Sequence, residues 1–340
     1  MGSPSGRPTL ADVARAAGVS ASAASLVLRG RPGTGERTRR RVLAAARAVG
    51  YRAPRPALPD SGLLGVIATD LANAYHTDVI AGIERYAEAE GTGVVIAQGR
   101  RDPDQLERQL TRMLGLGVDG VVVASTWLGP AALAAAAAVV PVAVIGRLQE
   151  PVPGVDTVHC DDETGAALAV RHLVEHGHRH LVHVTASSRP GPAARRAGFA
   201  AEAARWGLAD RIEVIGPADG PRLDEQLRDL LRRVAAGRSP APTAVFAAND
   251  VAAVRVLHRA AEAGVPVPDR LSVVGYDSSH LALTVRPHLT SVHQPREEMG
   301  RLAAQMIRER LGGRVRDAAL RVAPVLRERD STAAAPRPAV

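Results

Sequence analysis

Eleven arginines crowd the first sixty residues, at positions 7, 15, 29, 31, 37, 39, 40, 41, 47, 52 and 55, against three acids, Asp12, Glu36 and Asp60. This segment alone carries a net charge of +8, equal to that of the whole 340-residue chain, so residues 61–340 are balanced. Basic charge confined to one small module is the footprint of a polyanion-binding head on a neutral body. His172, His176, His178, His180 and His183 form the next group with chemistry to offer, because such clusters can ligate divalent metals. Helical spacing puts the first two on a helix closed by Gly177, and strand alternation sends His180 and His183 to opposite faces, so the cluster is expected to disperse without a metal site. Cys160 is the single cysteine; it can form no internal disulfide, fits a reducing compartment and reads as a packed thiol. A Walker loop is excluded because the chain has no lysine, and Gly65-Val-Ile-Ala-Thr-Asp stands where a dinucleotide-binding glycine fingerprint would follow the first strand. No catalytic residue, enzymatic activity or cofactor is expected.

Three short helices must carry the arginines. Thr9 can cap a helix beginning at Leu10, with Asp12 completing a capping box and Leu10, Val13, Ala14 and Ala17 on one face up to Gly18. Ser20 then caps a second helix that turns Ala24, Val27 and Leu28 inward. A third runs from Glu36 to Val49, with Val42, Leu43, Ala46 and Val49 toward the core. Two helices joined by a tight Gly-containing turn, with a third behind them, form a helix-turn-helix whose second helix is offered to the major groove.

Residues 51–62 hold three prolines and read as a linker. Beyond it, β-rich runs at 63–69, 93–97, 118–124, 141–145, 180–184, 212–215, 244–248 and 271–276 alternate with amphipathic helices such as 163–176. Alternation of this kind predicts parallel sheets covered by helices, and about ten strands call for two similar lobes. Of only eight aromatic residues, Tyr75, Trp127 and Tyr276 fall at or just past strand ends, where an α/β sheet binds ligands, which favours a pocket that stacks on a flat ligand or a sugar face. The apolar run Ala131 to Val140 stops at Pro141, short of the roughly 18 residues a membrane span needs. Met1 to Pro8 lacks the apolar segment of a secretory signal, so a cytoplasmic location without membrane contact is expected. The tail after Asp330 has no periodicity and is expected to be disordered.

The segments T-L-A-D-V-A-R-A-A-G-V-S (9–20), S-L-V-L-R-G (25–30), T-R-R-R-V (38–42) and V-G-Y-R (49–52) are followed by D-L-A-N (70–73), V-D-G-V-V-V (118–123), H-L-V-E-H-G-H-R-H-L (172–181), R-R-A-G-F (195–199), F-A-A-N-D (246–250), L-S-V-V-G-Y-D (271–277) and L-T-S-V-H-Q-P (289–295). In this order and spacing the chain resembles the LacI/GalR family of bacterial transcription regulators over nearly its whole length. The resemblance implies an all-α, lambda-repressor-like helix-turn-helix domain (1–50), a hinge linker (51–62) and an α/β periplasmic-binding-protein-like core (63–330) of two Rossmann-like lobes with parallel sheets. It further implies three crossings between lobes, near 158–162, 288–292 and 319–323. Lobe 1 would then comprise about 63–159 plus 292–319, and lobe 2 about 160–291 plus 320–330, with 331–340 as the tail.

By the same resemblance Ala21 and Ser22 match the base-reading pair, Ser25 and the caps Thr9 and Ser20 would touch phosphate, and Arg29, Arg31, Arg39 and Arg52 would clamp phosphates. Side chains this small limit direct readout to a hydroxyl contact and an apolar contact with a thymine methyl, which leaves more of the specificity to DNA shape. Leu26 stands where the family often has arginine, and Gly35 replaces a serine cap. Leu58 matches the hinge leucine that wedges into the minor groove, but Pro56 and Pro59 flank it in a shortened segment, so it is expected not to intercalate. Tyr75 and His76 match an aromatic pair flanking the effector, Arg195 an arginine that hydrogen-bonds it, and Asn249 and Asp277 polar groups for its hydroxyls; Asp277 has the alternative role of a structural cap. Gly146 departs from the aspartate of many sugar-responsive members. The expected partners are a pseudo-palindromic duplex operator, a second copy of the chain and a small, sugar-like effector. The expected function is an effector-controlled regulator, a repressor by preference. The alternatives are a core that senses a partner protein, or a cytoplasmic ligand-binding protein with vestigial DNA affinity.

Overall fold

The computed structural model describes residues 9–28, 33–49, 61–217, 220–237 and 241–336. The chain divides into two compact units, Met1–Pro59 and Asp60–Val340.

In the first unit, α1 (Leu10–Ala17), α2 (Ala21–Leu28) and α3 (Glu36–Ala48) enclose Val13, Ala14, Ala17, Ala24, Val27, Val42, Ala45 and Ala46. Thr9 and Asp12 form the reciprocal capping box, and Gly18 closes α1 with a left-handed φ of 61°. The chain bends by 104° between α1 and α2. One expectation fails here: Leu43 is exposed, and Ala45 takes its place inside. Val42, Ala45, Ala46 and Val49 follow the i, i+3, i+4, i+7 rule, which leaves Leu43 off the stripe.

The second unit contains two six-stranded sheets. The chain runs β1 (Leu63–Ala68), α4 (Ala74–Ala89), β2 (Gly93–Gln98), α5 (Pro103–Gly115), β3 (Gly120–Ala124), α6 (Pro130–Ala137), β4 (Val142–Ile145) and β5 (Val155–Cys160). It continues with α7 (Asp162–Glu175), β6 (Leu181–Val184), α8 (Pro190–Arg205), β7 (Ile212–Ile215), α9 (Gly220–Ala236), β8 (Ala244–Ala247), α10 (Asp250–Glu262), β9 (Ser272–Asp277), α11 (Leu281–Thr284) and β10 (Thr290–His293). It closes with α12 (Arg296–Leu311), β11 (Ala319–Val322) and β12 (Val325–Arg327). The sheet orders are β11-β5-β4-β3-β1-β2 and β12-β10-β9-β8-β6-β7. Pairing is parallel except between β12 and β10. Each sheet reverses direction beside its first strand, so each offers a crevice at its carboxyl edge.

The chain leaves the first sheet after β5, at Asp161, and α7 packs on the second. The second crossing lies at Gln294–Pro295 rather than 288–292, because β10 completes its pairing with β9 before α12 returns to pack on α4. The third follows β11, which pairs with β5, so residues 320–322 belong to the first sheet and not to the second lobe. Helices α4 and α12 approach closely enough that a Cβ on Gly82 would lie 1.9 Å from the Glu297 carbonyl oxygen, and one on Gly300 2.0 Å from that of Val79. The fully buried Asp156 on β5 ties α12 and β11 to the sheet. It accepts hydrogen bonds from Arg310 Nη2 (2.7 Å), Arg314 Nη2 (2.7 Å) and the Ala318 amide (2.8 Å).

The tail is not disordered over its described part. Ser331 is fully buried, its hydroxyl donates to the Val273 carbonyl (2.6 Å) and accepts from the Thr290 amide (2.8 Å), and its carbonyl accepts from the Val273 amide (2.8 Å). The segment bonds to strand starts and side chains rather than to a ladder, so it needs no periodicity of its own. Among the described residues, no single helix is long and apolar enough to cross a membrane.

Candidate nucleic-acid interface and effector site

In the first unit, Ser20, Ala21 and Ser22 are exposed at the start of α2, and Ser25 is half-buried one turn on. The Ser20 hydroxyl accepts from the Ala23 amide (3.2 Å) and lies 3.0 Å from that of Ser22, which fixes the helix start. Thr9 is committed to its capping box. Its hydroxyl also donates to Asp12, so any phosphate contact it makes shares that oxygen. Arg39 is exposed on α3. Arg41, which the sequence does not single out, donates to the Ala17 carbonyl (2.6 Å) and neutralises the carbonyl end of α1. Arg29, Arg31, Arg52 and the hinge residue Leu58 lie outside the described residues.

In the second unit, the expected effector residues gather at the carboxyl edges of the two sheets. Tyr75 sits in the first turn of α4, held by Asn73, and makes an edge-on contact with His76 at 5.3 Å. Burial raises its phenol pKa, reinforced by Asp277 across the crevice. His76 is buried; burial pushes its imidazole down to about 4, and its Nδ1 has no hydrogen-bond partner. Trp127 follows β3, and the Arg189 guanidinium from the opposite lobe covers one ring face at 4.2 Å.

Arg195 projects from α8 into the buried centre of this region. Its Nε donates to Asp162 (2.8 Å), its Nη1 to the Ala248 carbonyl (2.5 Å), and its guanidinium lies 3.8 Å over the Tyr276 ring. Asp277 Oδ1 is 4.0 Å from Arg195 Nη1 and accepts from Gln294 Nε2 at 2.6 Å. Its backbone φ of 103°, followed by 48° at Ser278, is strained for residues with a Cβ. Burial, with Asp250 adding to it, raises the Asp277 carboxyl to about 7 against the pull of Arg195. The folded protein therefore holds a proton here that the unfolded chain gives up near pH 4. This contribution to stability is full below about pH 4 and is lost as pH rises toward 7. Urea midpoints at pH 5 and pH 8 should differ more in the wild type than in Asp277→Asn; equal pH dependence would contradict this.

Several expectations are corrected. Tyr276 is no stacking platform: it is fully buried, its hydroxyl donates to Cys160 Sγ (3.6 Å), and it fits only because residue 165 is glycine, where a Cβ would meet the hydroxyl at 2.5 Å. Burial pushes the Cys160 thiol up to about 12, in keeping with a packed sulfur. Asn249, not Asp277, is the cap: its Oδ1 accepts from the Ala252 amide at 2.8 Å at the start of α10. Gly146 adopts φ 128°, and a Cβ there would lie 2.7 Å from the Thr126 methyl, so the aspartate that the family resemblance suggests at this position would be strained and would require Thr126 to move. Of the histidines, His183 stacks in the core between Phe199 and Phe246, and His178 bonds Thr243 and the Ala333 carbonyl. His172 and His176, however, do not disperse: they pair at 4.3 Å beside Glu328.

The sequence does not mark Arg147, Asp162, Arg189 or Arg296. Arg147 faces Asp162 (3.8 Å) and Glu163 (3.4 Å) across the crevice. Arg296 bridges the lobes, donating to Asp78 (2.9 Å) and to the Ser278 carbonyl (3.0 Å). Their one sequence signal is a charge placed just after a strand or at a crossing.

Two family descriptions match the chain: bacterial regulatory proteins of the lacI family over residues 9–53, and a periplasmic binding protein-like domain over residues 170–332. The ribose operon repressor of Escherichia coli (strain K12) is 29% identical over 332 residues, spanning 95% of this chain and 99% of that protein. The crystal structure of a LacI transcriptional regulator from a Rhodococcus species matches with a TM-score of 0.71 at 30% identity, covering 81% of this chain and 100% of that one. The lac repressor dimer bound to operator and the anti-inducer ONPF matches with a TM-score of 0.68 at 25% identity, covering 97% of this chain and 100% of that one.

Proposed function

Because the chain belongs to the LacI family of bacterial transcription regulators, we propose that it is a homodimeric repressor whose core binds a small polar effector, sugar-like in its hydroxyl pattern. It is a DNA-binding regulator built from a helix-turn-helix unit and a two-lobed α/β core. Ala21 and Ser22 read base edges, while Ser25, Arg39, Arg29, Arg31 and Arg52 hold phosphates. Leu58, set between prolines, stays out of the base stack. The relatives named for a ribose operon and for the lac operator carry the sugar class, the duplex partner and the dimer over to this chain as a proposal. It acts in the cytoplasm, associated with the nucleoid when bound, and is assigned no reaction.

The observation that carries the effector role is convergence. Tyr75 of one lobe comes within electrostatic reach of Arg195 and Asp277 of the other, Trp127 takes Arg189 of the other lobe on its ring face, and His76 stands edge-on to Tyr75. Asn249 contributes its amide nitrogen, since its oxygen is taken by α10. Lobe opening or closing around a ligand shifts the two heads of a dimer, and linkage makes effector and operator alter each other's affinity by one factor, typically about 5- to 150-fold. A thermal-shift screen of sugars and nucleosides should yield a ligand that changes operator affinity in footprinting by a factor in that range. A ligand that raises the melting point yet leaves the footprint unchanged contradicts the coupling. A screen with no hit, together with a footprint that moves only when a protein is added, points to a protein cue instead.

A further inference from the structure

We propose that His172, His176 and Glu328 form a binding site for a divalent transition-metal ion of the zinc class, on the second lobe at the end of α7 remote from the effector crevice. Nothing in the regulatory function assigned above uses these three residues. Asp162 opens α7 at the crevice and His172 and His176 close it, so by helical rise the two regions lie about 15–20 Å apart.

The geometry is that of a ligand set with its outer contacts already made. His172 and His176 stand one turn apart on the same face of α7, with ring centroids 4.3 Å apart. His176 Nδ1 lies 2.8 Å from the His172 carbonyl oxygen, an acceptor only, so this nitrogen carries the proton and Nε2 keeps the lone pair. His172 Nε2 lies 2.9 Å from the Thr332 hydroxyl, which in turn lies 3.0 Å from that of Thr290, leaving His172 Nδ1 for the other side. Metal-ligating histidines are held in this way, the second nitrogen bonded to a carbonyl or another fixed polar group.

The two remaining nitrogens both face Glu328. His172 Nδ1 is 3.9 Å from one of its oxygens and His176 Nε2 is 3.8 Å from the other. These separations are too long for hydrogen bonds, and one ligand atom from each of the three residues lies within 4.8 Å of the others. Zinc binds imidazole nitrogen at about 2.0–2.1 Å and carboxylate oxygen at about 2.0–2.2 Å, so an ion between the three atoms closes the gap with small side-chain movements. His172 is buried, and Glu328 is exposed enough to leave an entry path and a position for water. His178 is not a fourth ligand, because Thr243 and the Ala333 carbonyl occupy its two nitrogens. The ion would pin Glu328, just past β12, to α7, and so clamp the last strand and the segment that follows, anchored by the buried Ser331, onto the second lobe.

The test uses the full-length, tag-free chain after chelator treatment, titrated with Co2+ by visible absorption and with Zn2+ by calorimetry. The expected result is one equivalent per chain, with a rise in melting temperature. His176→Gln and Glu328→Gln, both at partly exposed positions, should each weaken binding at least about tenfold while the metal-free melting temperature stays near that of the wild type. His258→Gln, whose imidazole pairs with Glu262 on an exposed helix face, should leave the titration unchanged. Absence of saturable binding at millimolar ion, or one-equivalent binding that survives both H176Q and E328Q, overturns the proposal.

Discussion

Operator affinity of the intact chain is expected to fall with a log–log slope against salt of about −6 to −10, a loss of roughly 4 × 10³- to 10⁶-fold between 50 and 200 mM. The basis is the segregation of charge: +8 on the first sixty residues against a balanced remainder. Each head displays Arg37, Arg39 and Arg40 on the exposed surface of α3, while Arg15 is partly spent on Asp12 at 3.2 Å and Arg41 on the end of α1. Two heads on a two-fold operator would bring a handful of phosphate contacts each, and counterion release scales with their number. The base-reading face of Ala21, Ser22 and Ser25 is too small to hold the complex alone, so phosphate contacts must dominate. Fluorescence anisotropy across that salt range measures the slope; a slope near zero contradicts it.

Arg195→Ala is expected to cost the core about 3–5 kcal/mol of unfolding free energy and to remove the effector response. The guanidinium is hydrogen-bonded to the buried Asp162 carboxylate, with Arg147 farther off at 3.8 Å, and it lies within 4.0 Å of the buried Asp277. Truncation leaves these carboxylates, the Ala248 carbonyl and the face of Tyr276 without their shared partner. Arg195→Lys should recover only part of the loss, because an ammonium cannot fork to Asp162 and Ala248 while lying flat on a ring. Urea unfolding reads the stability, and a thermal shift with the effector reads the binding. A loss below about 1 kcal/mol with the ligand shift intact would show the network to be peripheral.

What the sequence makes legible is what local rules govern. The capping box at Thr9 and Asp12, the left-handed Gly18 and the alternation of strand and helix each depend on residues within a few positions of one another, and the eight strands placed from the sequence lie within two residues of their expected bounds, while β5, β10, β11 and β12 are not among them. What escapes it is set by distant partners. Tyr276 sits at a strand end like a ligand platform, but Gly165, more than a hundred residues earlier, opens a slot that buries it. The crossing after β10 shifts because β9 finishes pairing through His293, and no local signal in Thr-Ser-Val-His announces this. Ser331 and Thr332 look like a polar tail until β9, β10 and α7 supply their partners. Glu328 likewise turns a dispersing histidine run into a convergent trio only through the fold. The effector residues fall between these cases: Tyr75 and Trp127 are found by position relative to strands and Arg195 and Asp277 through the family resemblance, whereas Arg147, Asp162, Arg189 and Arg296 take their places only through partners brought together by the fold.

The most direct measurement compares, at one salt concentration, the retardation of promoter fragments by the intact chain and by a chain that starts at residue 61. If regulation works through the arginine-rich three-helix unit, the intact chain shifts its operator at nanomolar concentration and the shortened one does not, although the shortened chain still melts cooperatively and still binds effector. Equal retardation by both would place the DNA contact in the core and refute the account.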